Sequence, residues 1–320
     1  MASSRSGGEE RHGVALTNLD QPLFDEAGAT KRDLVDYLEA VHDRLVPVLE
    51  DRPLSVIRVH RGQEAFMQKN VPRYTPDWVP TAELWAETSR RTVRYALCND
   101  LRTLLWFGNQ RAVEYHPTLG RAGHLDRATH LVLDLDPPDH DGFAAAVAAA
   151  LLVRAALDAA ALAGAVKTSG PKGVHVFVPL DDRTSPEDAA AATRALAARA
   201  AALDPSVATT AFVKEDRDGK VFVDATRSGG ATVIAAYSPR VRPGVPVSFP
   251  VGWADLEGVS PADFTIRTAP GLLAHGDPWA EAMPGPQSLP ADLVAEGHEL
   301  PVARVQAMHE GKRRARARRG

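Results

Sequence analysis

The most informative segment of the chain for its fold is His130-Leu-Val-Leu-Asp134-Leu135-Asp136-Pro-Pro138. Its β-branched and apolar residues predict a strand, and the two prolines mark the point where that strand leaves its sheet. Because side chains on a strand alternate between its faces, Asp134 and Asp136 project from one face while Leu135 points to the other. Neighbouring carboxylates repel each other unless a cation, commonly a divalent ion with oxygen ligands, neutralises them. The stretch therefore predicts either a metal site on one side of a sheet or, as the alternative, a solvated strand end or a turn.

A second short strand supplies a third carboxylate. Residues 221–223 form an apolar run that ends on Asp224. Three carboxylates from two strands can hold two divalent ions about 4 Å apart, the arrangement used for in-line phosphoryl displacement. We therefore predict that Asp134, Asp136 and Asp224 are both metal ligands and catalytic residues.

A segment between these two strands has the residues that phosphate binding requires. It reads Lys167-Thr-Ser169-Gly-Pro-Lys172-Gly173-Val-His175. Glycine allows close backbone approach, hydroxyl and amide groups donate to phosphate oxygens, and lysine supplies positive charge. The segment precedes a strand and does not fit the P-loop pattern, which opens a helix. A solvated loop is the alternative, and the spacing of His175 favours a core histidine over a phosphate donor.

Composition limits the class of protein. The 320 residues, 44% hydrophobic and 24% charged, are enough for one large core or two smaller ones. A formal net charge of -4 argues against a uniformly basic nucleic-acid coat, so DNA contact would depend on local clusters of Lys and Arg. The single cysteine, Cys98, excludes an internal disulfide and a Cys-rich zinc site, and we interpret it as a buried apolar residue rather than a catalytic thiol.

The order of predicted elements indicates an α+β protein without one clear internal boundary. Helices are predicted at residues 31–49, after the N-cap Thr30 and with a kink near Pro47, at 143–162 and at 186–203. Strands are predicted at residues 54–59, 92–97, 130–135, 174–178, 221–223 and 232–236, a strand or short helix at 101–107, and loops at 61–80 and 239–250.

The two ends of the chain are polar. We expect residues 1–13 to be a flexible N-terminus and residues 301–320 to contain a helix end and a basic tail, which is either solvated or in contact with DNA. The polar start lacks the apolar run of a secretory signal, and the apolar Ala-rich run at residues 143–166 contains Arg154 and Asp158. We therefore expect a cytoplasmic location, at the nucleoid, and no membrane partner.

These segments resemble, in their order along the chain, the polymerase domains of bacterial end-joining DNA ligases, within the archaeo-eukaryotic primase superfamily. The matching segments are Leu16-Thr-Asn-Leu-Asp20, Thr30-Lys31, Asp36-Tyr37, Arg52-Pro53, Lys69-Asn70-Val-Pro72, His116-Pro117, Val132-Leu-Asp-Leu-Asp-Pro137, Lys167 to His175, Gly219-Lys-Val-Phe-Val-Asp224 and Tyr237-Ser-Pro-Arg240. The resemblance implies a primase-type α+β catalytic core, with mixed and antiparallel sheets flanked by helices, over residues 14–300. Since no ligase lysine motif or nuclease region is visible, the chain resembles the separately encoded primase-polymerases of actinobacteria.

The resemblance also assigns roles to residues. It places two Mn²⁺ or Mg²⁺ ions on Asp134, Asp136 and Asp224, in agreement with the strand argument. The implied nucleotide contacts are Phe66, His116, Ser169, Lys172, Gly173, His175, Arg217 and Arg240, and the implied DNA contacts are Lys31, Arg58, Lys69 and Asn70. The alternatives are a core position for Phe66 and a solvated charge for Arg217. The implied substrates are NTPs, with ribonucleotides preferred, on gapped or end DNA, and the implied partners are a separate DNA ligase and Ku.

Three positions depart from the family pattern. The family continues its third aspartate as Asp-Trp-Ser-Gln-Asn, whereas this chain reads Asp224-Ala-Thr-Arg-Ser228. Ile57 stands where the family has a nucleotide-contacting lysine, and Gln21 replaces one of two lysines that hold a 5′-phosphate, the other being Lys31. These changes concern substrate selection rather than the metal site.

Two other functions compete with template-using nucleotidyl transfer. The first is a non-catalytic module that binds DNA ends or gaps and recruits a ligase. The second is a metal-dependent phosphoesterase, because two-metal carboxylate sites also hydrolyse phosphodiesters. A phosphoesterase would have little use for the lysine-rich and glycine-rich loop that ends at His175, so it ranks last.

Overall fold

A computed structural model of the protein describes residues 8–60, 62–86, 90–138 and 142–302. Its helices in these ranges are α1 Lys31–Ala40, α2 His42–Leu49, α3 Leu101–Asn109, α4 Gly142–Ala159, α5 Pro186–Leu203, α6 Ala269–Leu272, α7 Pro278–Ala282 and α8 Ala291–Glu299. Its strands are β1 Glu9–Arg11, β2 Val14–Leu16, β3 Leu54–Arg58, β4 Phe66–Gln68, β5 Thr81–Ala86, β6 Arg91–Ala96, β7 Ala112–Pro117, β8 His130–Asp136, β9 Ala165–Thr168, β10 Val174–Pro179, β11 Ala208–Thr209, β12 Val221–Asp224 and β13 Pro250–Val251. Helices combined with antiparallel and mixed sheets confirm the predicted α+β class.

The chain forms two compact units. Unit 1 contains the residues up to Gly123 together with Thr232–Pro250 and Ser260–Pro278, and unit 2 contains His124–Ala231, Val251–Val259 and the residues from Trp279 onward. The sequence shows no clear boundary because the chain passes between the units several times. Residues 303–320 lie outside the described residues, and they include the predicted basic tail. Residues 1–7 also lie outside them. Within the N-terminus predicted to be flexible, β1 instead pairs with β2.

Unit 1 contains an antiparallel sheet in the order β4-β3-β6-β5, with β7 also paired to β3. Helix α1 begins at a capping box, in which the Thr30 hydroxyl accepts from the Asp33 N–H and the Asp33 carboxylate accepts from the Thr30 N–H. It packs on α3, where a Cβ on Gly108 would lie 2.9 Å from Leu38 Cδ1. The absence of a side chain at Gly108 therefore allows the two helices to approach closely.

Several local predictions for unit 1 are wrong. The helix predicted at residues 31–49 is two helices, because the backbone of Val41 leaves helical geometry, at φ −109° and ψ 7°, while Pro47 lies inside α2. The loop predicted at residues 61–80 contains β4. Residues 232–236 do not form a named strand, although Val233 and Ala235 donate backbone hydrogen bonds to β7. Of the two alternatives for residues 101–107, the helix is confirmed, because these residues belong to α3, which Asp100 caps.

The sheet of unit 2 has the order β11-β12-β8-β10-β9, and Val251 of β13 continues it beside β9. Strand β8 lies inside this sheet, antiparallel to β12 on one side and to β10 on the other. Helices α4 and α5 pack against β8 and against each other. The predicted bounds of α5 are confirmed, because Ser185 caps it at Pro186 and it ends at Leu203.

Helix α4 is the most apolar helix of unit 2. Among the described residues, it is the one helix that is long and apolar enough, by length and composition only, to cross a membrane. It packs on β8, β10, β12 and α5, and buries residues that include Ala146, Ala150 and Val153. These contacts are those of a core helix that covers one face of the sheet.

Candidate active site

A row of polar side chains crosses the sheet of unit 2. The strand register pairs Asp224 with Asp134, Asp134 with His175, and His175 with Lys167. Directly opposed residues of neighbouring strands lie on the same sheet face, and Asp136, two residues after Asp134, shares that face. We call these five residues the acid row. The structure therefore brings together the three aspartates predicted as catalytic.

Of the three carboxylates, Asp134 makes the most contacts with donor groups of the protein. Its Oδ1 lies 3.0 Å from His175 Nε2, and its Oδ2 lies 3.1 Å from both Nε and Nη2 of Arg227. Burial by itself raises the pKa of Asp134, but the charge and hydrogen bond of His175 and the charge of Arg227 lower that pKa below its ordinary value. Asp134 is therefore an ionised carboxylate held from two sides.

His175 connects Asp134 to the buried side chain of Lys167. Lys167 is fully buried, and its Nζ lies 3.1 Å from His175 Nδ1. Because an ionised carboxylate only accepts, His175 Nε2 carries the proton that points to Asp134. The structure thus places His175 as the group that orients Asp134, while its predicted contact with a nucleotide stays a prediction.

The other two aspartates differ in their surroundings. Asp224 accepts a hydrogen bond from the Thr226 N–H at 2.7 Å, and its Oδ2 lies 3.4 Å from Arg227 Nε. The Asp136 carboxylate makes no hydrogen bond or ion pair with the described part of the chain, although its backbone pairs with that of Phe222. Burial, followed by repulsion from Asp134 and Asp224, raises the pKa of Asp136 to about 6.

The donor set suits a hard divalent ion, since three carboxylates share one sheet face. The side-chain conformations are a separate matter. Among the described residues, no group of three or more His, Cys, Asp or Glu side chains is arranged so that it could hold a metal ion. Two of the three carboxylates contact Arg227 instead. From the sequence, Arg227 was predicted only as part of the departure from the family pattern, and the available signal was its position three residues after Asp224.

The predicted phosphate-binding segment is a tight loop between β9 and β10. The Ser169 N–H donates to the Gly173 carbonyl at 2.8 Å, and Gly170 has a positive φ of 121°, which favours glycine. A Cβ on Gly173 would lie 2.6 Å from Ser169 Oγ and 2.8 Å from the carbonyl oxygen of Leu135. Lys172 Nζ lies 3.5 Å from the Pro137 carbonyl oxygen. The loop therefore lies beside the end of β8 that carries Asp134 and Asp136.

Arg217 also lies near the acid row. Its guanidinium lies 4.0 Å from the ring centroid of Phe222, the residue that pairs with Asp136 in the strand register. The Nε of Arg217 donates to the Ala211 carbonyl at 3.2 Å, and its charge opposes the rise in the pKa of Asp136. The Arg217 side chain is thus partly buried, contacts the Phe222 ring and lies close to the Asp136 carboxylate.

In unit 1, a buried glutamate joins two residues that were predicted to contact the nucleotide. Glu114 Oε2 lies 2.9 Å from His116 Nε2, while Oε1 lies 3.2 Å from Arg240 Nε and accepts from the Val241 N–H at 2.9 Å. Burial raises the pKa of Glu114, but these partners, His116 first, lower it to about 2. Glu114 was not predicted from the sequence, although residues two apart on a strand share one face and Glu114 lies two residues before His116.

The remaining predicted nucleotide contact of unit 1 is Phe66. Its ring is 39% exposed and stacks on His60 at a centroid distance of 5.4 Å, which excludes the core alternative. Arg58 pairs with Phe66 in the strand register, and it is buried, donating to the Gln110 carbonyl at 2.9 Å and to Gln68 at 2.7 Å. Phe66 therefore presents an aromatic face, and Arg58 supports the strand beneath it.

The predicted DNA contacts differ in exposure. Lys69 and Asn70 are exposed, and the Asn70 side chain accepts from the Arg94 N–H at 2.9 Å. Lys31 is 2% exposed, and its Nζ donates to the Thr17 carbonyl at 2.5 Å and to Asn109 at 2.6 Å. Burial, with repulsion from Arg111, lowers the pKa of Lys31 to about 8. Lys31 is thus used inside unit 1 in this conformation, and its contact with DNA stays a prediction.

The chain is similar to known proteins along most of its length. Residues 30–279 match the model of the family described as LigD, primase-polymerase domain. The chain is 32% identical over 293 residues to the bifunctional non-homologous end joining protein LigD of Bacillus subtilis (strain 168), covering 90% of this chain and 46% of that protein. It is 34% identical over 263 residues to the multifunctional non-homologous end joining protein LigD of Mycobacterium bovis, covering 79% of this chain and 34% of that protein.

A solved structure shares the fold. The polymerase domain from Mycobacterium tuberculosis ligase D in complex with DNA matches with a TM-score of 0.77 and 32% identity, over 86% of this chain and 98% of that one. The chain spans less than half the length of the two LigD proteins, 46% and 34%, but nearly all of the solved polymerase domain. The family model and the relatives cover the acid row and the loop beside it, and they show that the chain belongs to the LigD primase-polymerase domain family, a family of nucleotidyltransferases.

Proposed function

We propose that the protein extends primers at DNA gaps or ends during end-joining repair, by two-metal nucleotidyl transfer from NTPs with ribonucleotides preferred. The observation that carries this proposal is the acid row beside the glycine-rich loop, which combines three carboxylates with donors for phosphate. The relatives named for non-homologous end joining and the solved polymerase domain in complex with DNA support the repair setting and the DNA substrate. The proposed partners are gapped DNA, a separate DNA ligase and Ku, in the cytoplasm at the nucleoid.

The three aspartates would hold two Mn²⁺ or Mg²⁺ ions. Their type fits this purpose, because hard divalent ions take carboxylate oxygens. The raised pKa of Asp136 reflects burial and then repulsion from Asp134 and Asp224, and a cation would offset both. Bound there, such ions supply positive charge to the attacking and leaving oxygens of an in-line displacement. Lys167 and His175 keep the Asp134 carboxylate ionised and oriented.

The loop beside β8 would bind the triphosphate. The Ser169 hydroxyl and the Lys172 ammonium provide a donor and a positive charge, and Gly173 allows the loop to lie against the Leu135 backbone. Phosphoryl transfer depends mainly on positioning and on electrostatic stabilisation of the transferred group. The loop supplies both, because a fixed backbone turn places the ammonium at the end of β8.

The family resemblance assigns further nucleotide contacts to residues of unit 1. His116 and Arg240 both contact the Glu114 carboxylate, so each has a fixed orientation. The exposed Phe66 ring suits stacking on a base, an interaction that tolerates any base because each has a π face. These roles are proposed from the family resemblance and supported by these local contacts.

Primer extension on gapped DNA tests the proposal. Wild-type protein with Mn²⁺ and each NTP or dNTP should extend the primer, most efficiently with ribonucleotides. Asp134→Asn should reduce extension by at least about 10³-fold, the scale seen when electrostatic catalytic groups are removed, and should leave DNA binding unchanged. The matched control is Asp182→Asn, an aspartate of the same unit whose side chain is 85% exposed. Extension by Asp134→Asn at the wild-type rate would refute the assignment of the acid row.

A non-catalytic end-binding module is the second candidate. The observation that favours it is the contact of Arg227 with two of the three carboxylates. On this hypothesis the protein binds gapped DNA but shows no extension with any NTP or dNTP in either Mn²⁺ or Mg²⁺. The same extension assay, paired with a DNA-binding measurement, therefore separates the two candidates.

A further inference from the structure

The guanidinium of Arg227 contacts the same carboxylate oxygens that the proposed metal site requires. The inference drawn from this contact rests on the proposed function. Its Nε lies 3.1 Å from Asp134 Oδ2 and 3.4 Å from Asp224 Oδ2, and its Nη2 lies 3.1 Å from the same Asp134 oxygen. One guanidinium thus contacts one carboxylate on each of two strands. A divalent ion between Asp134 and Asp224 would have to share these oxygens with a like-charged group.

The charge of Arg227 is strongly favoured at this position. An arginine guanidinium stays protonated in proteins, and here it lies against the carboxylates of Asp134 and Asp224. The single positive charge cannot neutralise three carboxylates, and Asp136 is the one that Arg227 does not contact. A divalent ion carries twice the charge and accepts more oxygen ligands, so it can displace the guanidinium at sufficient concentration.

The turn that carries Arg227 is anchored on both sides. The Thr226 N–H donates to Asp224 at 2.7 Å, and the Ser228 side chain, 2% exposed, accepts from the Val132 N–H at 2.9 Å. The Ser228 hydroxyl also lies 2.9 Å from the Thr193 hydroxyl of α5. The Arg227 side chain itself is 37% exposed. Release of its guanidinium therefore requires rotation of one side chain and no change in the backbone.

We propose that Arg227 is the resident counter-cation of the acid row, which neutralises Asp134 and Asp224 until divalent ions displace it. Arg227 thereby sets the concentration of metal at which the site is loaded. It also stabilises the metal-free fold, because three carboxylates on one sheet face would otherwise repel each other without a compensating charge. Replacing Arg227 by the uncharged glutamine should strengthen metal binding and weaken the metal-free fold together.

Calorimetric titration with Mn²⁺ alone, without nucleotide or DNA, tests this proposal on the full chain. Arg227→Gln should bind Mn²⁺ about tenfold more tightly than wild type, a change equal to about 1.4 kcal/mol. In EDTA its Tm should lie below that of wild type, and added Mn²⁺ should raise the Tm of the variant more than that of wild type. The matched control is Arg127→Gln, which removes a half-exposed arginine of the same unit that pairs with Asp182 at 3.7 Å.

Arg227→Lys keeps the charge but loses the two-point contact of the planar guanidinium, so it should bind Mn²⁺ about threefold more tightly than wild type. It replaces Arg227→Gln in the titration if the glutamine variant does not fold. An affinity of the tested variant within the error of wild type, or equal tightening in Arg127→Gln, would overturn the proposal while leaving the proposed function intact. Wild-type protein that binds no Mn²⁺ would overturn the metal site and this proposal together.

Discussion

The replacement of Gly173 by alanine is the sharpest test of how the loop and the acid row fit together. The added Cβ would lie 2.8 Å from the Leu135 carbonyl oxygen and 2.6 Å from Ser169 Oγ, whereas ordinary van der Waals contact begins at 3.4 Å. The Ser169 side chain can rotate away, but the Leu135 carbonyl belongs to the backbone of β8. That contact must lengthen by about 0.6 Å, which moves either β8 or the loop.

This movement would occur between the two aspartates of β8, because Leu135 separates Asp134 from Asp136. Overpacking of this kind costs about 1–3 kcal/mol of unfolding free energy. Since catalytic groups must be held within about 0.5 Å, and a misplacement of 1 Å can cost about 100-fold in rate, we expect Gly173→Ala to lose at least about tenfold in kcat.

The assay combines urea unfolding with primer extension on gapped DNA. The matched control is Gly285→Ala in the same unit, because a Cβ at Gly285 meets no atom within 4 Å. That variant should keep wild-type stability and extension. Wild-type stability and kcat in Gly173→Ala would refute the close approach of the loop to β8, and a loss of stability without a loss of kcat would refute its effect on the acid row.

Three further predictions address charge and stacking. Asp136→Asn should raise the Tm of metal-free protein above pH 6. The folded state holds this carboxyl at a pKa of about 6 against an ordinary 3.8, so it binds more protons than the unfolded state between these values. The gain in Tm should vanish as pH falls to about 4, and a gain that persists there would contradict the raised pKa. Glu114→Gln should destabilise the protein by about 1–3 kcal/mol at pH 7 and raise the KM for NTP. Its stability difference from wild type should disappear as pH falls from 4.5 towards 2, because the depressed pKa of Glu114 acts in this window. Urea unfolding across pH measures this difference, and a difference that stays constant would contradict the depressed pKa. Phe66→Ala should leave the Tm nearly unchanged and raise the KM for NTP at least about fivefold, because base stacking contributes about 1–3 kcal/mol. Phe66→Tyr keeps an aromatic ring and should keep the wild-type KM. An unchanged KM in Phe66→Ala would count against stacking.

Local patterns determined the elements whose signals lie within a few consecutive residues. Ser185 followed by Pro186 placed the start of α5, and the apolar run before Asp136 placed β8. Strand β9 was missed because its four residues are all buried and lead directly into a glycine-rich loop, so no alternation of polar and apolar residues marks it. The apolar run at residues 232–236 was predicted as a strand but forms only irregular backbone bonds to β7.

The positions of Asp134 and Asp136 on one sheet face followed from the sequence by itself, because the alternation of side chains is a property of a single strand. The partners of those carboxylates were decided only by the tertiary structure. Strand register places Lys167 and His175 in line with Asp134, and a turn after Asp224 brings Arg227 between two strands. Register and turn geometry depend on which strands pair, and that pairing is set by packing between segments far apart in the chain.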